Sequence, residues 1–324
     1  MTNQVMTVTG PVDVDDLGLT LMHEHIFLDL MRDAWIFTNI LNDPELADIE
    51  LDMLCQAGGA TVVDLTSGGL REYDNPIMFH QDDLVPLPPP LAVRKAAERS
   101  GLRIVMGAGW YHENYYKPRL WHLSTDQLVA EIVTELRHGM EGTDVKAGII
   151  GEIGAQYNRL SAIEERVLRA AGRAQIETGV GLTTHTTRGV GGLEQLDVLE
   201  QEGVDLSRVV LAHSGGQPYP EYHARIARRG ACVSFDRMGS LPDMTDFHRN
   251  RVLRNIRRLI DDGHTDKIVL SHDVCYADDL ATNGGPGYAW LPVAGREMLA
   301  REIGLTDDQW HTIMVETPKR ILAG

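Results

Sequence analysis

The sequence predicts an α/β fold, a (β/α)8 TIM barrel that forms one domain over residues 1–324. Short apolar runs rich in β-branched residues recur along the whole chain, and segments of helical periodicity separate most of them. Apolar strands that alternate with amphipathic helices indicate a parallel sheet covered on both faces. Eight such runs, with no change of composition between them, favour a closed barrel over two domains.

The strands and helices can be placed from the same pattern. Segments 123–140 and 161–179 have helical periodicity, and Ser161 with Glu164 has the spacing of a capping box at a helix start. Gly179 is a candidate helix C-cap. The predicted strands, in chain order, are residues 19–25 (LTLMHEH), 60–66 (ATVVDLT), 103–110 (RIVMGAGW), 146–153 (KAGIIGEI), 180–186 (VGLTTHT), 209–215 (VVLAHSG), 231–237 (ACVSFDR) and 267–273 (KIVLSHD).

Composition and charge narrow the class of protein. A formal net charge of −17 argues against nucleic acid and anionic membrane as partners, which leaves a small-molecule substrate. No apolar stretch approaches the roughly 18 residues of a membrane span, and the first residues, MTNQVMTVTG, lack the features of a signal peptide, so a cytoplasmic location is expected. Cys55, Cys232 and Cys275 form no recognisable pair and are expected to be reduced thiols. The proline-rich segment 74–91 is predicted to be a loop.

Polar or ionisable residues stand at the C-terminal end of every predicted strand. Active sites of barrels are built at the mouth where these ends converge, so we expect the residues to meet in space. His23 and His25 are two apart, and strand alternation predicts that both enter the barrel while Glu24 points away. The residues are His23, His25, Asp64, Trp110, Tyr111, Glu152, His185, His213, Asp236, Arg237 and Asp273.

The histidines and acids among these residues predict a metal site. A His-x-His pair alone is more often two hydrogen-bonded core histidines, but His185, His213 and Asp273 at later strand ends favour metal ligation. Four imidazoles and one or two carboxylates exceed the four ligands of one tetrahedral ion and suit two divalent ions about 3.5–4 Å apart. Mixed nitrogen and oxygen ligands favour Zn²⁺, with Mn²⁺, Co²⁺ or Fe²⁺ as alternatives.

Six motifs together resemble the phosphotriesterase-like branch of the amidohydrolase superfamily over essentially the whole chain. The resemblance implies that His23, His25 and Asp273 hold the more buried ion and that His185 and His213 hold the more exposed one. The motifs are GLTLMHEH (18–25), KAGIIGEIG (146–154), TTHTTRG (183–189), LSRVVLAHSG (206–215), SFDRMGS (234–240) and VLSHD (269–273).

The bridging ligand departs from many members of that family. They carry a carboxylated lysine where this chain has Gly151, followed by Glu152. Phosphotriesterase homology proteins are similar to this chain here and use the glutamate, so the resemblance implies Glu152 as the bridge. Simple alternation would turn Glu152 outward, but Gly151 permits a bulge that corrects its direction. A carboxylated Lys146, with Glu152 outside the metal shell, is the alternative.

The resemblance also implies catalytic roles. Asp273 would orient the hydroxide that bridges the metals and take its proton. Tyr111 would touch that hydroxide or the substrate, or else pack under a loop. Arg237 would bind a substrate carbonyl or carboxylate, or else form a surface ion pair. From its position in VVDLT alone, Asp64 is expected either to hydrogen-bond a ligand histidine or to cap a helix.

These expectations predict a binuclear metal-dependent hydrolase in which the bridging hydroxide attacks a lactone or carboxylic ester, with phosphotriesterase activity as a side reaction. N-acyl amide or phosphoester hydrolysis is the alternative, and a non-catalytic barrel that binds a small ligand is a further one. The loop 275–292 is similar to amidase and homology-protein relatives, whereas Arg237 matches the lactonases. Relatives are commonly homodimers, and the same state is expected here.

Overall fold

Eight parallel strands form the central sheet of the protein, as the sequence predicted, and follow one another around it in chain order. The computed structural model describes residues 3–34, 39–71 and 89–324. Most of the predicted loop 74–91 lies outside these ranges. The strands are β1 (Thr20–Glu24), β2 (Thr61–Asp64), β3 (Arg103–Ala108), β4 (Ile149–Ile153), β5 (Leu182–Thr184), β6 (Val209–Leu211), β7 (Cys232–Phe235) and β8 (Ile268–Leu270).

Helices cover the outside of this sheet. Between β1 and β2 the chain forms α1, and every later strand is likewise followed by at least one helix. The main helices are α1 (Pro44–Gln56), α2 (Pro89–Ser100), α3 (Thr125–Arg137), α4 (Ala162–Thr178), α5 (Gly192–Glu202), α6 (Pro220–Arg228), α7 (Asp246–Asp261) and α8 (Arg296–Ile303).

The first and last strands meet and nearly close the barrel. The amide of Asp273 donates to the carbonyl of His23 at 3.1 Å, and the amide of His23 donates to Ser271 Oγ at 3.0 Å. Apolar side chains fill the interior between an N-terminal hairpin, in which Gln4–Thr7 pairs with Gly10–Asp13, and the strand ends that carry the polar residues. This interior cluster includes Val5, Met22, Val63, Val105, Ile149, Val210 and Val269.

The helix boundaries follow the signals in the sequence. Ser161 and Glu164 form both hydrogen bonds of a capping box at the start of α4. Gly179 ends that helix in the left-handed region, with φ 76°, where glycine meets no Cβ penalty. In the described ranges, no helix combines the length and apolar character needed to cross a membrane.

Two strands break the simple alternation of side chains. The register of β1 against β2 shifts between Leu21 and Glu24, and that of β4 against β5 shifts between Ile150 and Ile153. Gly151 has φ 124°, and a Cβ there would lie 2.3 Å from the carbonyl oxygen of Thr183, so only glycine fits. The predicted irregularity at Gly151 is confirmed, and it turns Glu152 toward the histidines.

A buried histidine on α6 gives a pH-dependent stability. His223 Nε2 lies 2.9 Å from the carbonyl oxygen of Ser214, and burial lowers the pKa of this imidazole. As the pH falls, His223 is therefore protonated in the unfolded chain while it stays neutral in the folded chain. The free energy of unfolding consequently falls as the pH drops below about 6.5. We expect His223→Gln to reduce this slope by at most about 1.4 kcal/mol per pH unit, measured by urea unfolding between about pH 7 and 5. Equal slopes in the variant and wild type would contradict this, and His122→Gln on the surface is the control.

Candidate active site

The predicted ligands from β1 and β8 converge on one point. His25 Nε2 lies 3.4 Å from Asp273 Oδ1, and His23 Nε2 lies 3.6 Å from the same oxygen. On the other side, His23 Nε2 lies 3.6 Å from Glu152 Oε1. All four side chains are buried. Residues far apart in the sequence therefore surround one small space.

A second group lies beside the first and shares Glu152 with it. Glu152 Oε1 lies 2.7 Å from His185 Nδ1 and 3.0 Å from His213 Nε2, and these two nitrogens are 3.0 Å apart. Ligand atoms of His23, His25 and Glu152 lie within 4.8 Å of one another, as do those of Glu152, His185 and His213. One carboxylate thus connects two groups that could each hold a metal ion.

The spacing and the missing hydrogen bonds fit metal ions. Bonds of about 2.0–2.2 Å to a tetrahedral ion place neighbouring ligand atoms about 3.3–3.6 Å apart, which is the separation around His23 and Asp273. Among the residues that the structure describes, neither ring nitrogen of His23 has a hydrogen-bond partner, although the side chain is 1% exposed. A buried imidazole without partners is costly unless something coordinates it.

The far nitrogens of three histidines contact groups outside the cluster. His213 Nδ1 lies 3.0 Å from Asp236 Oδ1, His25 Nδ1 lies 3.0 Å from Thr66 Oγ1, and His185 Nε2 lies 3.4 Å from the hydroxyl of Tyr111. In metal sites such contacts fix the tautomer, so that the other nitrogen presents its lone pair to the ion. Each near nitrogen here faces Glu152 or Asp273.

The charges of the cluster depend on one another. Burial by itself raises the pKa of the Glu152 carboxyl, but His185 and His23 outweigh it and hold this pKa well below its usual value. Burial opposes a charge on His213, but Asp236 and Glu152 raise its pKa well above the usual value. Protons and metal ions therefore compete for the same nitrogens, and acid should weaken metal binding.

The remaining predicted residues take positions around this cluster. Arg237 Nη1 donates to the carbonyl and to Oδ2 of Asp273, at 2.9 and 3.3 Å, and its side chain is 36% exposed. Tyr111 is buried with its hydroxyl beside His185. Lys146 precedes β4, whereas Glu152 lies near the opposite end of that strand. Asp64 accepts from the amide of Thr66, whose hydroxyl in turn lies 3.0 Å from His25 Nδ1.

Sequence reasoning missed the role of Glu24. Strand alternation predicted only that this side chain points away from His23 and His25. It is fully buried and accepts hydrogen bonds from the chain on both sides of Asp273. Its carboxylate accepts from Ser271 Oγ at 2.7 Å and from the amides of His272 and Val274 at 2.8 and 3.0 Å. The sequence signal that could have indicated this role is a glutamate between two predicted ligand histidines, because a buried carboxylate needs several hydrogen-bond donors.

Asp236 was named as a strand-end residue but not as a partner of the histidines. Its Oδ2 accepts from the amide of His213 at 2.7 Å and lies 3.5 Å from His23 Nδ1. Asp236 thus orients His213 of the second group and lies beside His23 of the first, which strand position alone did not reveal.

We expect Glu24→Gln to destabilise the fold and weaken metal retention. In the variant, the side-chain amide nitrogen would face at least one of the groups that now donate a hydrogen bond to the carboxylate. Losing a hydrogen bond to a charged group costs about 1.5–3 kcal/mol. Asp273 would also lose the anchors on its two neighbours. Urea unfolding and metal content per chain measure the two effects. The surface variant Glu297→Gln is the control. If Glu24→Gln itself gave wild-type stability and wild-type metal content, Glu24 would not position Asp273.

The cluster lies in a cavity of about 890 Å³. This volume is within the range of about 300–1,000 Å³ typical of small-molecule sites. His25, Glu152, His185, His213 and Asp273 all contribute to its wall. A small molecule can therefore reach the cluster directly.

Comparison with known proteins identifies relatives along the whole chain. A family model described as "Phosphotriesterase family" matches residues 3–322. The phosphotriesterase homology protein of Mycobacterium tuberculosis is 32% identical, over 98% of this chain and 97% of that protein. The N-acetyltaurine hydrolase of Danio rerio is 27% identical, over 98% of this chain and 97% of its own.

Solved structures give the same result. A resiniferatoxin-binding protein from Rhodobacter sphaeroides has a TM-score of 0.87 and 32% identity, covering 99% of this chain and 95% of its own. A lactonase from Listeria monocytogenes has a TM-score of 0.87 and 25% identity, covering 98% of both chains. The predicted barrel and the predicted resemblance are both confirmed.

Proposed function

Because the chain belongs to the phosphotriesterase family, we propose that this hydrolase uses two divalent metal ions, with Zn²⁺ favoured, to cleave a lactone or carboxylic ester. The observation that carries the proposal is Glu152, whose carboxylate is shared by two groups of histidines. Its position near the C-terminal end of β4 supports it, and not Lys146, as the bridge. When bound, the ions would polarise the scissile carbonyl and lower the pKa of water to around 7.

Side chains of the protein would carry out the proton transfer and hold the substrate. Asp273 is the proton acceptor in this proposal. Burial alone would raise its pKa, but the hydrogen bond to His25, nearby His213 and His23, and Arg237 together lower it, so the carboxylate is charged at neutral pH. Its Oδ2 then receives the proton of the attacking water and passes it to the leaving group.

Arg237 and Tyr111 would act on the substrate and on the cluster. The guanidinium of Arg237 holds Asp273 through Nη1 and lines the cavity, from where it can donate to a substrate carbonyl or carboxylate. Burial opposes a charge on this guanidinium, but Asp273 and Asp279 beside it raise its pKa, so it stays protonated. The Tyr111 hydroxyl holds His185 in its ligating tautomer and also lines the cavity.

N-acyl amide hydrolysis is the second candidate, and the N-acetyltaurine hydrolases among the relatives favour it. The lactonase among the solved structures favours the first. Oxyanion stabilisation serves both bonds, so the cluster does not distinguish them. A barrel that only binds a ligand is the rival from another class, and the resiniferatoxin-binding relative gives it support.

A substrate panel tests these candidates. Lactones, aryl esters, phosphotriesters and N-acyl amino acids would be assayed with zinc- or manganese-loaded protein. We expect the highest kcat/KM with a lactone or ester, loss of hydrolysis on chelation, and recovery when metal returns. A preference for N-acyl amides would support the second candidate. Ligand binding without turnover of any class would contradict the hydrolase proposal.

A further inference from the structure

We propose that Arg188 and Arg251 form an anion-binding subsite in the outer part of the active-site cavity. This subsite selects ester or amide substrates that carry a carboxylate or sulfonate group away from the scissile bond. The inference deepens the proposed function and rests on it for the bond that is cleaved.

The cavity wall outside the histidine cluster carries the opposite sign of charge to the protein as a whole. The protein has 47 acidic and 30 basic residues, with histidine excluded. Of the described residues that line the cavity, the acidic ones are Glu152, Asp236 and Asp273, and all three contact the histidine cluster. No other acidic residue of the described ranges lines its wall. The wall beyond the cluster is therefore cationic inside an acidic protein.

The cations in that wall are arginines, and two of them have no acidic partner. Arg237 is engaged with Asp273. Within the part of the chain that the structure describes, neither Arg188 nor Arg251 forms an ion pair, and Arg251 packs over the ring of Phe247, 5.9 Å from its centroid. An unpaired guanidinium can donate two parallel hydrogen bonds to a carboxylate, sulfonate or phosphate.

The backbone holds Arg188 in place near the cluster. Arg188 follows His185 by three residues and has φ 56° and ψ 37°, a left-handed conformation that costs energy for any residue other than glycine. The loop after β6 packs against it so closely that a Cβ at Gly216 would lie 3.1 Å from Arg188 Cα. The carbonyl of Gly189 also accepts from the Tyr222 hydroxyl. The surrounding packing thus maintains the strained turn.

The same rare conformation occurs at two residues of the cluster. His213 and Asp273 have φ 59° and 54°, and Glu141 is the remaining non-glycine example in the described ranges. Strained backbone of this kind collects where side chains must be aimed at a ligand. Arg188 shares that feature with the metal-ligand residues. Arg188 therefore lines the cavity on a backbone held in the same conformation as that of His213 and Asp273.

Two esters that differ only in distal charge test the subsite. Mono(4-nitrophenyl) glutarate carries a carboxylate, whereas 4-nitrophenyl pentanoate is neutral, and both release the same leaving group. We expect wild-type protein to favour the glutarate ester, and Arg188→Met or Arg251→Met to lower the ratio of the two kcat/KM values about tenfold, mainly through the KM of the anionic ester. Arg254→Met removes the same charge from α7 outside the cavity, and its ratio should match wild type.

Direct binding separates this proposal from the proposed function. Calorimetry with glutarate and with ethanesulfonate does not require hydrolysis, and comparing the two anions shows whether the subsite prefers carboxylate or sulfonate. We expect Arg188→Met to weaken binding of the preferred anion about tenfold. Arginine-dependent binding without ester hydrolysis would keep the subsite and remove the esterase proposal. Hydrolysis with unchanged ester ratios in both arginine variants, or absence of binding by wild type, would overturn the subsite.

Discussion

Asp273→Asn is expected to lower kcat by about 10²- to 10⁴-fold, the usual contribution of a positioned proton acceptor. Asparagine has nearly the same shape as aspartate and also tolerates the left-handed conformation that Asp273 adopts, with φ 54°. It cannot accept the proton, and it supplies no charge 3.4 Å from His25 Nε2. The measurement is kcat on the best substrate of the panel, with excess metal present.

The matched control is Asp144→Asn, which removes a carboxylate from the surface, where Asp144 pairs with Arg94 at 3.0 Å. This control should keep wild-type kcat. If Asp273→Asn retained most of the wild-type rate with its metals bound, Asp273 would not be the proton acceptor.

Glu152→Gln should show the second large effect, which is the loss of bound metal. Glutamine keeps the shape of the side chain but removes the negative charge that both histidine groups share. It would also bring an amide nitrogen close to His185 Nδ1, now 2.7 Å from Glu152 Oε1. We expect at least one metal ion per chain to be lost on dialysis, as measured by plasma mass spectrometry.

Lys146→Met is the control that distinguishes the two possible bridges. Lys146 stands six residues before Glu152 and precedes the first residue of β4, whereas Glu152 lies near the C-terminal end of that strand. The variant should therefore keep its metals and its rate. The reverse result, with metal lost from Lys146→Met and retained by Glu152→Gln, would support a carboxylated lysine and contradict the glutamate bridge.

The barrel could be predicted because its signals are local and repeated. Each predicted strand contains an observed one, from Thr20–Glu24 to Ile268–Leu270, since short β-branched runs and amphipathic segments keep their periodicity wherever they pack. The capping box at Ser161 and the glycine at 179 set helix ends through bonds within a few residues. Such features require no knowledge of distant parts of the chain.

Less of the candidate active site could be predicted from the sequence. Residues at strand ends could be predicted to converge, because parallel strands share one mouth. The role of Glu24 could not be predicted, because the groups that donate to its carboxylate belong to Ser271, His272 and Val274, which are distant in the sequence. Arg188 lies in the motif TTHTTRG (183–189), but from the sequence a structural or rim position is favoured for it. Its importance arises from the charges of residues on other loops, and only the folded chain brings them into one cavity.

The proposed hydrolase activity depends on two cations held between β1, β4, β5, β6 and β8. Anomalous diffraction at the zinc edge from crystals of the zinc-loaded protein tests it most directly. We predict two peaks, one beside His23, His25 and Asp273 and one beside His185 and His213, with Glu152 contacting both. If crystals grown in excess zinc showed no peak among these residues, or peaks only elsewhere on the chain, the two-metal site would be contradicted.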